Sequence, residues 1–137
     1  MHADGDSHSE LTGNSASVDR YLQLCEDREL TQAKQFLAPN ARLQFPGKIE
    51  YRSLEEQFAS PHTVYQWVRK RRLRYSEGTS GDAQTVVSMG ELYGIDKQGK
   101  PFEGVRYVDY FVIRDGLIVE QLVWNDLAID GVGRDRA

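Results

Sequence analysis

Few side chains in this sequence are placed to do chemistry, and the most unusual of them is Asp109. It sits between Val108 and Tyr110 in GVRYVDYFVIRDGLIVEQLVWND, residues 104–126, the most β-like stretch of the chain. Asp is depleted in strands, and a buried carboxylate is costly unless it is paired or protonated. Such a residue is either a pocket acid that donates a hydrogen bond or a structural carboxylate paired with Arg106 or Arg114, or bonded to Tyr21. Alternation along a strand puts both arginines on the opposite face, which argues against pairing with them.

The other reactive side chains are scattered. His2 and His8 lie in the leading segment and His62 follows Pro61; with a single cysteine, Cys25, no metal-ligand spacing is present and no intramolecular disulfide can form. His62 has no visible partner and reads mainly as an ordinary loop histidine, with a general base as the alternative. GVGRDRA at the end of the sequence lacks the strand-turn-helix context of a phosphate-binding loop. No cofactor and no metal are therefore expected. The basic run RKRR (69–72) reads mainly as a solvated, edge-protecting segment, with phosphate or nucleic-acid binding as the alternative.

At 137 residues the chain fits one domain with a real core. Charged residues at 28% and hydrophobic ones at 39% point to a globular body rather than a disordered one. A net charge of -4 argues against a general nucleic-acid binder. No run reaches the length of a membrane span and no signal-peptide pattern opens the sequence, so the expectation is no membrane partner and a cytoplasmic location.

Residues 1–16 read as a flexible N-terminal tail, 17–128 as the single domain and 129–137 as a C-terminal tail. Val18, Tyr21, Leu22 and Cys25 recur at i, i+3, i+4 and i+7, which predicts an amphipathic helix with Ser17 as N-cap. Leu30, Ala33, Phe36 and Leu37 predict a second short helix stopped at Pro39-Asn40. ARLQF is a short strand that Pro46-Gly47 turns towards KIEYR. Ser53 can cap LEEQFA, and a fourth helical piece is expected after Pro61, with Val64, Trp67 and Val68 on one side. From there the period changes to two, and four strands follow: RLRYSEG, AQTVVSMGELYGI, PFEGVRYVDYFVI and LIVEQLVWN. Helices followed by an antiparallel meander define an α+β domain.

Asp115-Gly116 is a type I′ hairpin signal. A regular hairpin pairs Arg114 with Leu117 and Asp109 with Leu122. One face then carries Val105, Tyr107, Asp109, Phe111 and Ile113 with Ile118, Glu120, Leu122 and Trp124, unless a β-bulge swaps part of it. Neither face is clearly polar, so both are expected to be covered, one by helices and the other by a second subunit. Trp67, Tyr107 and Trp124 either line a cavity or fill the core. Asn125 and Asp126 either mark a pocket mouth or merely end the strand.

VDRYLQLCEDRELTQAKQFLAPNARLQFPG and YVDYFVIRDGLIVEQLVWND together resemble the nuclear transport factor 2-like superfamily, and within it the SnoaL-like and ketosteroid-isomerase-like proteins. The resemblance covers residues 17 to about 128. It implies a cone-shaped, curved antiparallel sheet wrapped around the N-terminal helices, an apolar pocket, and a homodimer through the outer sheet face. It further implies that Tyr21 and Asp109 match the tyrosine and the protonated aspartic acid of an oxyanion hole. A carboxylic acid kept neutral by an apolar site is the known device of the ketosteroid isomerases themselves, so this role comes with the resemblance. Phe45 stands where those isomerases carry their base, which leaves Glu120, Asp126 or a helix carboxylate for that role. Phe45, Trp67, Tyr107, Phe111, Trp124, Asn125 and Asp126 are the expected pocket lining. The expected function is cofactor-independent isomerisation, cyclisation or dehydration of a small hydrophobic carbonyl compound; the alternative is a non-catalytic ligand-binding or dimeric protein-interaction module.

Overall fold

The computed structural model describes residue 11 and residues 13–134. Of the expected tail at residues 1–16, residues 1–10 and 12, with His2 and His8, lie outside the described residues, and residues 13–16 are helical. Helix α1 runs Gly13–Glu26, one turn further upstream than a Ser17 cap would start it. Its stripe buries Val18, Tyr21 and Leu22 almost completely, each such burial contributing about 1.5–3 kcal/mol. Helix α2 is the single turn Leu30–Ala33, followed by a 3₁₀ turn over Lys34–Phe36.

Strand β1 begins at Leu37 and runs to Phe45, so Pro39-Asn40 lies within a strand rather than stopping a helix. The pairing of β1 is irregular between Leu37 and Arg42, and an irregular stretch is where a proline does least harm to a ladder. Strand β2 is Ile49–Tyr51 and helix α3 is Leu54–Phe58. The cap expected at Ser53 is present: its side chain accepts a bond from the Glu56 amide.

Among the described residues no helix follows Pro61. Val64, Trp67 and Val68 have helical spacing, yet residues 65–80 form one long strand, β3 (Tyr65–Ser80). Its pairing with β4 (Ala83–Asp96), from Tyr65 opposite Asp96 to Ser80 opposite Ala83, outweighs a three-residue spacing signal. Strands β5 (Pro101–Arg114) and β6 (Leu117–Asn125) complete a meander.

The sheet order is β2-β1-β6-β5-β4-β3. The meander β3 to β6 is antiparallel as the pattern predicts, but β1 pairs with β6 in parallel, which makes the sheet mixed. Gly90 and Gly94 let β4 lie tight against β3: a Cβ on Gly94 would stand 2.2 Å from the Trp67 carbonyl oxygen. Register shifts beside both glycines bend the sheet into the curve that encloses α1.

The last hairpin departs from regular register at one point. Arg114 pairs with Leu117, but β6 carries a bulge at Val119, between the pairs Ile113–Ile118 and Val112–Glu120. Beyond it every β6 residue changes face. Asp109 opposes Val123 instead of Leu122, and the inner face carries Gln121, Val123 and Asn125 in place of Glu120, Leu122 and Trp124.

Candidate functional site

The inner faces of β5 and β6 form one wall of a cavity of about 280 Å³. β1 supplies Phe45, β3 supplies Val68 and Lys70, and the turn segment after β6 closes it with Leu127, Ala128 and Val132. That segment is held down by Asp96, whose carboxylate accepts the Gly133 amide at 3.3 Å. An apolar space of roughly 150 Å³ already accepts benzene, so this cavity suits a compound of one or two rings.

Asp109 lies on the cavity wall with no solvent exposure. Neither of its carboxyl oxygens has a hydrogen-bond partner among the described residues. Burial pushes its titration above the usual carboxylate range, while Lys70 and the Gln121 amide pull more weakly the other way. Arg106 and Arg114, the arginines considered as partners, are engaged outside with Asp126 and Asp82.

The neighbour that sequence reading missed is Lys70. Its Nζ lies 3.8 Å from Asp109 Oδ2 and 5.2 Å from the centre of the Tyr107 ring. The basic run is not simply a solvated segment: Arg69 and Arg71 are half-exposed, whereas Lys70 and Arg72 are largely buried. Arg72 bonds Asp19, Gln23 and Glu26 on α1. Glu26 also accepts the Lys70 backbone amide, so the helix satisfies a donor on the free edge of β3. The alternation of Val68, Lys70 and Arg72 along a strand is the available signal, and the helical spacing of Val64, Trp67 and Val68 masks it.

The expected site residues separate into two groups. Phe45, Tyr107 and Asn125 line the cavity with Asp109. Tyr107 is held by a 3.0 Å bond between its hydroxyl and Ser88, the buried residue opposite Asp109. The others are elsewhere. Phe111 is buried in the main core, edge-on to Tyr21. Trp67 packs edge-on against Tyr93 and is 42% exposed. Trp124 is 54% exposed on the outer face, where the bulge puts it, and Asp126 is tied to Arg106. Tyr21 stays off the cavity wall and donates its hydroxyl to Gln121 Oε1 at 2.8 Å; its own titration is pushed up by burial.

The base candidates change as well. Glu120 pairs with Arg42, Asp126 with Arg106, and Glu26 with Arg72. His62 does line the cavity, at an exposed rim position. Among the described residues no group of three or more His, Cys, Asp or Glu is arranged to hold a metal, and no helix is long and apolar enough to cross a membrane.

An N-terminal helix against a curved, mixed six-stranded sheet is the fold of NTF2-like proteins and SnoaL-like polyketide cyclases of known structure. The chain has the fold of an NTF2-like protein of unknown function from Burkholderia pseudomallei, at 16% identity and TM-score 0.75, over 91% of this chain and 100% of that one. A candidate SnoaL-like polyketide cyclase from Jannaschia sp. CCS1 superimposes at 18% identity and TM-score 0.64, over 90% and 93% of the two chains. TerC, co-crystallised with polyporic acid, does so at 18% identity and TM-score 0.71, over 89% and 98%. No family model matches the sequence, and no curated protein does.

Proposed function

We propose that this protein is a cofactor-independent acid–base enzyme, an isomerase, cyclase or dehydratase acting on a small hydrophobic carbonyl compound. The observation that carries the reading is Asp109, a fully buried carboxyl without a hydrogen-bond partner among the described residues, on the wall of a mostly apolar cavity. A neutral carboxyl there donates its proton to the carbonyl oxygen and stabilises the enol-like state that forms. The likeness in fold to the SnoaL-like polyketide cyclase and to TerC, co-crystallised with polyporic acid, supports a small organic compound as the ligand.

Tyr21 is not part of this proposal, because its hydroxyl is committed to Gln121. Phe45 lines the cavity and cannot accept a proton, so His62 at the rim takes the base role. The test is turnover of a panel of enolisable one- and two-ring ketones. Asp109→Asn is expected to lower turnover by about 100- to 10,000-fold, the usual range for removing a general acid. His62→Ala should lower turnover while leaving the fold intact. Unchanged turnover in Asp109→Asn overturns the mechanism.

A second reading has its own observation. Leu73, Met89, Trp124 and Ile129 are all exposed around an outer-face groove of about 590 Å³. Exposed apolar patches of this kind mark interaction surfaces. A second copy of this chain covering it makes the protein a homodimer, and a binding module if Asp109 proves inert.

A further inference from the structure

Lys70 is the cavity wall's one lysine or arginine among the described residues. Its side chain is 18% exposed, Tyr107 lies beneath its amine, and the carboxyl of Asp109, which has no hydrogen-bond partner among the described residues, stands 3.8 Å away as its ion-pair partner. An amine, an adjacent proton donor and an apolar space of one or two rings are the parts that imine chemistry requires. We propose that Lys70 is a nucleophile that forms a covalent imine with carbonyl compounds entering this cavity. The inference rests on the reading that the cavity admits such compounds, and it adds a covalent step to it.

The step balances within the pair. Transfer of the ammonium proton to the Asp109 carboxylate leaves an amine and a neutral acid; the amine adds its lone pair to the carbonyl carbon, forming a C–N bond while the C=O π electrons move to oxygen. One N–H proton ends on that oxygen, and the product is a carbinolamine. Asp109 then gives its proton to the departing hydroxyl, which leaves as water as the C=N bond forms. The cationic iminium stands beside the Asp109 carboxylate, so the charge created on nitrogen is offset at once. No oxidant, reductant or cofactor enters. The remaining lysines provide contrast: Lys34 is ion-paired with Glu55 at the surface, and Lys48, Lys97 and Lys100 are exposed and off the cavity wall.

Reductive trapping tests this directly. The full-length protein is incubated with benzaldehyde and sodium cyanoborohydride near neutral pH, and benzylated lysines are followed by peptide mass mapping. Lys70 is expected to be modified ahead of the four other lysines. Asp109→Asn should slow labelling at Lys70 by on the order of 100-fold and leave the surface lysines unchanged. Lys70→Arg should lose the adduct while keeping the fold. Labelling that ranks Lys70 with or behind the surface lysines overturns the proposal, as does labelling at Lys70 indifferent to Asp109→Asn. Binding of acetophenone, read by thermal shift in wild type and Lys70→Arg, separates the two levels. Binding without any adduct ends the covalent step and leaves the acid–base reading standing; no binding ends both.

Discussion

Tyr21 donates its hydroxyl proton to Gln121 Oε1 across 2.8 Å, and Gln121 shares the inner face of β6 with Val123, the residue opposite Asp109. The tyrosine and the acid therefore meet the same face without bonding to each other. Their separation gives Tyr21 a structural role in the core and leaves Asp109 facing whatever occupies the cavity.

Tyr21→Phe should accordingly cost stability rather than activity. The change strands the buried Gln121 oxygen, a loss of about 1–3 kcal/mol. Chemical denaturation measures it. A collapse in turnover with no loss of stability would place Tyr21 back in the chemistry.

Asp109 leaves a signature in the pH dependence of stability. Its folded titration lies above that of the unfolded chain, which is near 3.9. As pH rises past about 4 the unfolded state gives up this proton first, so Asp109's contribution falls until its own folded titration is passed. Surface carboxylates such as Glu50 and Asp82 are shifted downward by arginine partners and act in the opposite sense. The difference between wild type and Asp109→Asn isolates the buried group. The variant should gain on wild type with rising pH, and a flat difference would mean that folded Asp109 is ionised like an ordinary carboxylate.

Arg72 ties the edge strand to α1 through Asp19, Gln23 and Glu26. Arg72→Met leaves Glu26 buried beside Lys70 without its main counter-charge. Removing one partner of a buried pair costs about 3–5 kcal/mol. Thermal unfolding should show a large drop, and hydrogen exchange should show β3 loosening first. Replacing Glu26 with Gln in the same chain should recover part of the loss.

The outer face makes a separate prediction. Leu73→Glu combined with Trp124→Glu places two charges on the apolar groove and should yield a monomer from a dimeric wild type. Sedimentation velocity decides it. A wild type that is monomeric at high concentration removes the homodimer from consideration.

Much of this protein follows from local pattern. Helix α1, the Ser53 cap, the Asp115-Gly116 turn and the four-strand meander are set by periodicity and turn chemistry acting over a few residues. The inward course of Val105, Tyr107, Asp109, Phe111 and Ile113 is equally local, because alternation along one strand needs no partner to define it. What tertiary structure alone decided begins at Val119. One extra residue in β6 turned Trp124 outward and brought Gln121, Val123 and Asn125 to the cavity side, and nothing in the local sequence marks where a bulge falls. Lys70 came to Asp109 in the same way: β3 had to pair with β4, and β4 with β5, before a lysine and an acid so far apart in sequence could face one another. Asp109 was visible as an anomaly in the sequence; its partner was a consequence of the fold.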